Sequence, residues 1–366
     1  MTLHDRFIRK RVEDVRIASI RYLGDLTEVP ARFAELRKIV EPYIAGDALR
    51  LLHWTLPTGK SDIEVVYPVS QDVNVGPVKT RILAASEIIS VHHEGPLAPP
   101  EAENSLNKTA RPLYTYAVEH GYLIAEGPFR LIYLESGDEL KQVTEEHKIE
   151  LQVPLFLTEW LGYLAEGLKE EAGDKAQECV MAGSDAILEE TEISKRVAWM
   201  KEAMERLDDA VPDPAARCRI VSGCAHRFPE VLIDEMRRAY QEAGSIDELL
   251  ASMGRDRPKD GLPGPDYPKR VGNTIYEAKL PRDPKGYKNA ENDLDRRISY
   301  CYCPTLRTAM RAGETISTTF CNCGAGWFLQ KWEGILGKPV KVELIRSVLK
   351  GDALCEVAVH LPPDVT

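Results

Sequence analysis

Two glutamates, Glu64 and Glu150, occupy the same place in two similar segments of this 366-residue chain. Segment 62–69 alternates apolar and polar residues and ends in Pro-Val, and segment 148–155, 86 residues further on, alternates likewise and ends in Pro-Leu. Side chains alternate between the two faces of a β-strand, so the apolar residues would share one face and each glutamate would lie on the other. Carboxylates on a sheet face can attract a cation or act as a general base.

Aromatic residues lie near both segments. Trp54, Phe129 and Tyr133 stand just before them in sequence, Tyr67 lies within the first, and His93 precedes a turn glycine. A sheet face that carries carboxylates and is flanked by aromatic rings can form a cleft, in which each ring stabilises a bound cation by roughly 0.5–2 kcal/mol. We therefore take these five residues as ligand-binding candidates beside the two glutamates. The alternative is an ordinary solvated face with no ligand.

The eight cysteines offer a second kind of chemistry. None precedes Cys179, and four of them form two Cys-x-Cys pairs. Four thiolates suit tetrahedral zinc, with Zn–S distances near roughly 2.3 Å, although Cys-x-Cys is a weaker signal than Cys-x₂-Cys. The candidate zinc ligands are Cys224, Cys301, Cys303, Cys321 and Cys323. The alternative is that these are buried thiols, since free cysteine is among the most buried residue types.

The elements that would position the glutamates form a repeated unit. Each unit is a strand, a helix and a hairpin, at about 15–22, 29–44 and 49–69 in the first copy and at about 79–93, 104–119 and 129–155 in the second. Turn residues 57–59 and 136–138 separate the hairpin strands. One such unit cannot bury both its helix and its sheet, so the two copies are expected to pack together around an antiparallel sheet.

The chain changes character after Leu155. Helical spacing of apolar residues predicts helices at about 157–172, 176–190, 193–210 and 230–243, followed by a long loop at 254–273. A strand at 299–303, a helix at 325–336 and a hairpin at 340–361 are expected beyond it. We therefore predict an α+β protein with two domains: residues 1–156 contain the duplicated strand–helix–hairpin unit with an antiparallel sheet, and residues 157–366 form a helix-rich, cysteine-containing α+β domain.

Composition excludes several classes of protein. The chain carries 47 basic and 58 acidic side chains, a net charge of −11, and contains no basic cluster, so nucleic acid is not an expected partner. No apolar run approaches the ~20 residues of a membrane-spanning helix. The charged N-terminus lacks the apolar stretch of a signal peptide, which predicts a cytoplasmic protein with reduced cysteines. The expected partner is a small organic molecule, and the oligomeric state stays open.

Residues 15–155 resemble the GyrI-like, or AraC effector-binding, superfamily of bacterial small-molecule binding domains. The resemblance rests on the doubled unit, the His-Glu-Gly-Pro turn at 93–96, the strand Gly-Pro-Phe…Tyr at 127–133 and the closing segment 149–154. It implies a pseudo-twofold cleft for flat, aromatic, amphipathic or cationic molecules, as in multidrug sensing or sequestration. It also implies that Glu150 faces the ligand, with Tyr133 as the aromatic residue on the preceding strand.

Some members of this superfamily hydrolyse strained, cyclopropane-bearing alkylating compounds. The resemblance then implies catalytic roles for Glu150 as base and Tyr133 as orienting hydroxyl. Whether the protein is a binder or such an enzyme stays open at this point.

Residues 157–362 resemble a bacterial domain family of unknown function and the 4-vinyl-reductase type of small-molecule domain. This resemblance is carried by segments 320–324, 341–344 and 351–355. It implies no particular activity, and a metal-dependent role of this half is a third alternative. No cofactor is certain, and zinc is the one the cysteines suggest. Relatives carry a second cysteine shortly after the position of Cys224, where this chain has Phe228, and this speaks against a complete metal site.

Overall fold

The structure, a computed structural model, describes residues 6–102, 104–125, 127–135, 140–190, 192–255 and 262–365. It divides into two compact units, Met1–Phe156 and Leu157–Thr366, each of which combines helices with an antiparallel sheet. This confirms the predicted α+β class. Within the described residues, none of the helices is both long enough and apolar enough to cross a membrane.

The N-terminal unit contains eight strands and two helices in its described residues. Its strands are β1 Ile8–Val12, β2 Val15–Gly24, β3 Leu49–Thr55, β4 Ser61–Pro68, β5 Lys79–Leu83, β6 Ser86–Pro96, β7 Phe129–Tyr133 and β8 Glu146–Pro154. Its helices are α1 Val29–Val40, after β2, and α2 Leu106–Glu119, after β6. The two predicted hairpins, β3–β4 and β7–β8, are both antiparallel. The predicted turn at 136–138 lies outside the described residues.

The sheet order shows the duplication directly. The strands lie in the order β1-β6-β8-β7-β3-β4-β2-β5, so β6, β8 and β7 of the second copy mirror β2, β4 and β3 of the first about the central β7–β3 pair. The two edge strands are exchanged between the copies. β1 precedes β2 in the chain but pairs with β6, whereas β5 precedes β6 but pairs with β2. The predicted strand at 79–93 is thus two strands, β5 and β6.

The two faces of this sheet have different surroundings. On one, the helix-covered face, α1 packs on β2 and β4 and α2 packs on β6, around a core that includes Phe33, Ile63, Val65, Ile149 and Leu151. On the other, here called the polar face, the strands present the alternate residues, whose side chains point away from α1 and α2. These include a small apolar cluster and the polar side chains of β2, β4 and β8.

The C-terminal unit is built mainly from helices. They are α3 Leu157–Ala172, α4 Asp174–Val180, α5 Ser184–Glu189, α6 Ile193–Ala210, α7 Pro214–Gly223, α8 Glu230–Ala243, α9 Ile246–Arg255, α10 Pro284–Asn289, α11 Asp293–Tyr300, α12 Pro304–Ala312 and α13 Asn322–Leu336. The strands β9 Lys269–Val271, β10 Thr274–Ala278, β11 Lys341–Arg346 and β12 Glu356–His360 form a sheet in the order β11-β12-β10-β9. Trp332 on α13 is fully buried in the core between this sheet and the helices.

The sequence predicted this unit with local errors. The helix expected at 176–190 is two short helices, α4 and α5, because Gly183 takes a left-handed conformation between them. The strand expected at 299–303 is wrong. Asn292 caps α11 by accepting a hydrogen bond from the Asp295 amide, and the helix continues to Tyr300. The predicted hairpin at 340–361 is confirmed by the antiparallel pairing of β11 and β12.

Candidate functional site

Glu64 lies on the polar face of β4 at the centre of a compact polar cluster. This residue is 3% exposed, and its Oε2 atom accepts hydrogen bonds from Arg81 Nη2 at 2.7 Å and from His53 Nε2 at 3.0 Å. Burial alone would raise the pKa of this carboxyl, but the hydrogen bonds from His53, Arg81 and Ser19 outweigh it and lower the pKa to about 2. Glu64 is therefore a charged, buried and fully partnered carboxylate.

Glu150 lies on the polar face of β8 in a similar cluster. It is 8% exposed, its Oε1 atom lies 2.5 Å from Lys10 Nζ, and its Oε2 atom accepts a hydrogen bond from Gln152 Nε2 at 3.2 Å. Burial opposes the charge here too, but Lys10, Ser90 and Gln152 lower the pKa of Glu150 below its usual value. The Lys10 side chain is 40% exposed and the Arg81 side chain 41%, so the cation of each ion pair reaches solvent while the carboxylate stays buried.

The two clusters are equivalent under the internal duplication. Arg81 on β5 lies opposite Ile17 of β2, and Lys10 on β1 lies opposite Ile88 of β6, so the two cations occupy matching positions. Each glutamate is thus neutralised by a cation from an exchanged edge strand. The partner serines, Ser19 and Ser90, match as well, since each stands two residues after the corresponding isoleucine. Neither cation could be predicted from the sequence, because residues that are neighbours in sequence do not reveal that the edge strands are exchanged.

A pocket of about 510 Å³ opens at the first cluster. Its polar lining comes from Ser19, Arg21, His53, Glu64, Lys79 and Arg81. Arg21 is held by Asp62 through two hydrogen bonds of 2.9 and 2.7 Å. Lys79 is exposed and has no ion-pair partner among the described residues. Three cations and one carboxylate therefore line the pocket, and an anionic group would be attracted there.

Tyr133 and Glu150 lie on opposite faces of the sheet. In the β7–β8 register Ile132 stands opposite Glu150, whereas Tyr133 stands opposite Ile149. Tyr133 is 2% exposed, and its ring centroid lies 5.6 Å from that of Phe33 on α1. The structure therefore corrects the prediction that Glu150 and Tyr133 act on one ligand as base and orienting hydroxyl, because the sheet itself separates the two groups.

Three more of the predicted cleft residues point to the helix-covered face. Phe129 packs against Tyr114 of α2 with ring centroids 5.9 Å apart, and Tyr67 packs against Phe33 at 5.6 Å. His93 is 3% exposed, and its Nδ1 atom lies 2.9 Å from the Thr109 hydroxyl on α2. These contacts give the three residues structural roles in the helix–sheet core, and they do not line the pocket.

Trp54 is the one predicted aromatic residue that the register places with the glutamates. A β-bulge between Leu52 and Trp54 shifts the β3–β4 pairing, so that Trp54 stands opposite Asp62 on the polar face. The same bulge directs His53 to Glu64. A bulge adds one residue to a strand, so the side chains beyond it point to the opposite faces from those that simple alternation predicts. Alternation along β3 would therefore assign one of these two side chains to the wrong face.

The candidate zinc ligands do not form a recognisable metal centre. All eight cysteines are free, and burial raises the pKa of the thiols of Cys224, Cys301, Cys303, Cys321 and Cys323. Within the described part of the chain, no group of three or more His, Cys, Asp or Glu residues is arranged to hold a metal ion. The zinc hypothesis therefore gains no support, since zinc binds thiolates in groups of about four.

The comparisons with known proteins bear on the N-terminal unit. Residues 8–155 match the family described as the GyrI-like small molecule binding domain, which is less than half of the chain. This finding supports the resemblance drawn from the sequence for that region. The comparisons give no support to the 4-vinyl-reductase resemblance of the C-terminal half.

Several solved structures are similar to the same region. The crystal structure of the EcmrR C-terminal domain is 19% identical, covers 41% of this chain and 96% of its own, and has a TM-score of 0.34. A hydrolase from Listeria innocua is 14% identical, with 41% and 91% coverage and a TM-score of 0.29. SAV2435 bound to tetraphenylphosphonium is 11% identical, with 40% and 93% coverage and a TM-score of 0.29. A comparison with curated proteins gave no match.

Proposed function

We propose that the N-terminal domain binds a small organic molecule with an anionic group in the pocket beside Glu64. The observation that carries this proposal is the lining of the pocket, with three cationic side chains and a single carboxylate. The volume of about 510 Å³ suits such a ligand, since pockets for small molecules usually measure roughly 300–1,000 Å³.

The charges in the pocket favour an anion over a cation. Glu64 already accepts hydrogen bonds from His53 and Arg81, so a cationic ligand would have to displace one of them. Lys79 has no competing partner within the described residues, and its ammonium is accessible. A charge-assisted hydrogen bond to Lys79 is worth roughly 1.5–3 kcal/mol, which is enough to select an anionic ligand over a neutral one of the same shape.

Dye binding to the full-length protein tests this proposal. The anionic dye 1-anilinonaphthalene-8-sulfonate is expected to bind at least tenfold more tightly than the neutral N-phenyl-1-naphthylamine at moderate salt. Lys79→Gln removes the free charge and should weaken the anionic dye about tenfold, which corresponds to about 1.4 kcal/mol, with little effect on the neutral dye. Fluorescence titration measures both affinities.

The matched control is Lys38→Gln, which removes an exposed lysine on α1, on the other side of the sheet. It should leave both affinities unchanged. Equal affinities for the two dyes in the wild type, or equal effects of Lys79→Gln and Lys38→Gln, would contradict an anion-binding pocket.

A cationic ligand at Glu150 is a second candidate, and it is the expectation that the sequence raised. It is favoured by one observation: among the described residues Glu150 is paired with Lys10 alone, which is 40% exposed on an edge strand, whereas Glu64 is paired with both His53 and Arg81. A ligand cation could therefore replace the Lys10 ammonium at modest cost. Rhodamine 6G, a flat organic cation, is a suitable probe. Glu150→Gln should weaken its binding about tenfold, and Lys10→Gln should strengthen it by removing the internal competitor.

The control for this second candidate is Glu94→Gln, which removes an exposed carboxylate from the neighbouring strand β6. If Glu150→Gln and Glu94→Gln weaken the cationic dye equally, Glu150 is not in a cation site. We do not propose the hydrolase activity, because its two assigned residues lie on opposite faces of the sheet.

A further inference from the structure

The helix-covered face of the N-terminal sheet contains a buried cation. Arg50 on β3 is 2% exposed, and its partners in the register, Val65 and Leu131, both belong to the main core. Its Nε and Nη1 atoms have no hydrogen-bond partner, and none of the described carboxylates forms an ion pair with it. A guanidinium cannot lose its proton in a folded protein, so this charge is buried without compensation within the described residues.

Two buried tyrosine hydroxyls accompany Arg50. Tyr133 lies on β7, which is next to β3 in the sheet. Tyr22 lies on β2, two strands from β3 on the other side. Adjacent strands in a sheet are about 4.8 Å apart. The hydroxyl oxygens of both tyrosines are buried and have no hydrogen-bond partner. Burial raises the pKa of both, to about 12 for Tyr22, while the nearby charge of Arg50 acts in the opposite direction. Both hydroxyls therefore keep their protons and can donate.

Aromatic and cationic groups surround these three side chains. The ring of Phe33 on α1 lies 5.6 Å from that of Tyr133, and His147 lies 5.6 Å from Tyr133 as well. The guanidinium of Arg32, also on α1, lies 5.0 Å from the ring centre of Tyr22. The region between α1 and the sheet therefore combines flat aromatic side chains with unsatisfied hydrogen-bond donors.

We propose that Arg50, Tyr22 and Tyr133 form a binding site for an oxyanion, the carboxylate or phosphate group of a small molecule, between α1 and the sheet. All three side chains offer donors, and an oxyanion supplies the negative charge and the acceptor oxygens that they lack. The aromatic walls suit a ligand with a flat apolar part beside its charged group. This site is separate from the pocket beside Glu64, since the two lie on opposite faces of the sheet.

The test measures the stability and calorimetric binding of the full-length protein in sodium acetate, sodium phosphate and sodium chloride at equal ionic strength. A ligand that binds only the folded state raises the midpoint of unfolding by an amount that grows with the logarithm of its concentration, and calorimetry should show saturable binding. The wild type should show this response to acetate or to phosphate, and whichever anion gives it identifies the chemistry of the ligand. Hydrogen exchange of peptides from β3 and β7 should slow in the same buffer.

Arg50→Met is the decisive variant, because methionine fills a similar volume without a charge. It should be at least as stable as the wild type in chloride, since it removes an unpaired buried charge, and it should lose at least tenfold in oxyanion affinity. Phosphate also stabilises folded proteins without binding to a site, and that effect should persist in Arg50→Met. Tyr133→Phe keeps the ring and should weaken oxyanion binding several-fold, whereas Tyr43→Phe, outside the site, should not.

Two outcomes would overturn the proposal. One is the same response to both oxyanions in the wild type and in Arg50→Met, which would mean a general salt effect or bound water only. The other is the absence of saturable binding in the wild type together with unchanged behaviour of Tyr133→Phe. Acetate and phosphate could also bind beside Lys79, so the comparison is repeated in a Lys79→Gln background, where the loss of oxyanion affinity caused by Arg50→Met should be the same. Arg50→Met should in turn leave dye binding intact, so failure of this site and failure of the proposed function can be told apart.

Discussion

At the scale of single residues, Glu64 shows how hydrogen bonds and burial compete for one proton. Its pKa lies near 2 in the folded protein, against 4.5 for an ordinary glutamate. The folded state therefore binds this proton less readily than the unfolded state, and the charge of Glu64 stabilises the fold at any pH above about 4.5. That stabilisation is lost as the pH falls from about 4.5 towards 2, and its full size is about 3 kcal/mol.

Glu64→Gln tests this linkage. The variant should be less stable than the wild type at pH 7, by about 2–3 kcal/mol, and the difference should shrink steadily as the pH falls from about 4.5 to about 2. Denaturant unfolding at a series of pH values measures it. Glu94→Gln, at an exposed glutamate of the same sheet, is the control and should follow the wild type. A difference between wild type and Glu64→Gln that is constant over this range would disprove the depressed pKa.

The residues also show what alternation along a strand can and cannot predict. It correctly placed Glu64 and Glu150 on the face away from the helices, because both belong to regular strands with a clear apolar parity. The same rule would have placed Tyr133 beside Leu131 in the core, with Arg130 marking the other face. The family resemblance suggested instead that Tyr133 contacts a ligand. In the structure Tyr133 lies in the core of the helix-covered face, as alternation along the strand predicts.

At the scale of elements, the duplication could be predicted from the sequence but the exchange of the edge strands could not. Two hairpins of similar pattern, each preceded by a strand and a helix, are local features that a sequence records. The pairing of β1 with β6 and of β5 with β2 depends on contacts between residues 60 to 82 positions apart, such as Lys10 with Ile88. Both cations that neutralise the glutamates come from these strands, so the electrostatics of the site could not be predicted either.

The C-terminal half illustrates the same limit with helices. Long amphipathic segments such as α6 and α8 were predicted to within a residue or two, because their apolar periodicity spans several turns. The error at 299–303 arose in a short stretch of aromatic and cysteine residues that has high strand propensity. There the capping residue Asn292 decided the structure, since it starts a helix eight residues before Tyr300.

At the scale of the whole molecule, the pocket carries the opposite sign of charge from the chain. The protein has a net charge of −11, yet three cations line the pocket beside Glu64. At physiological salt, charges are screened over about 8 Å, so the lining and not the distant acidic surface determines the affinity for an anion. Lower salt would strengthen both the attraction between Lys79 and an anionic ligand and the repulsion of that ligand by the acidic remainder of the chain.

The two compact units lead to the last prediction. We propose that residues 1–156 are an independent domain, because they contain a complete sheet, two helices and a core of their own. Their number is typical of a single domain, for which a stability of roughly 5–15 kcal/mol is usual. Expressed alone, residues 1–156 should unfold in one cooperative transition and bind the anionic dye within about twofold of the full-length affinity.

Trp54 makes this measurement direct, since it is the only tryptophan in residues 1–156 and its fluorescence reports on the polar face alone. The same fragment with Lys79→Gln is the matched control and should show the tenfold weaker dye binding expected of the full-length variant. A fragment that unfolds without cooperativity would mean that residues 157–366 supply part of the stability of the sheet. A fragment that folds but binds both dyes equally would instead contradict the anion-binding pocket, because cooperative unfolding tests the domain and Lys79→Gln tests the pocket.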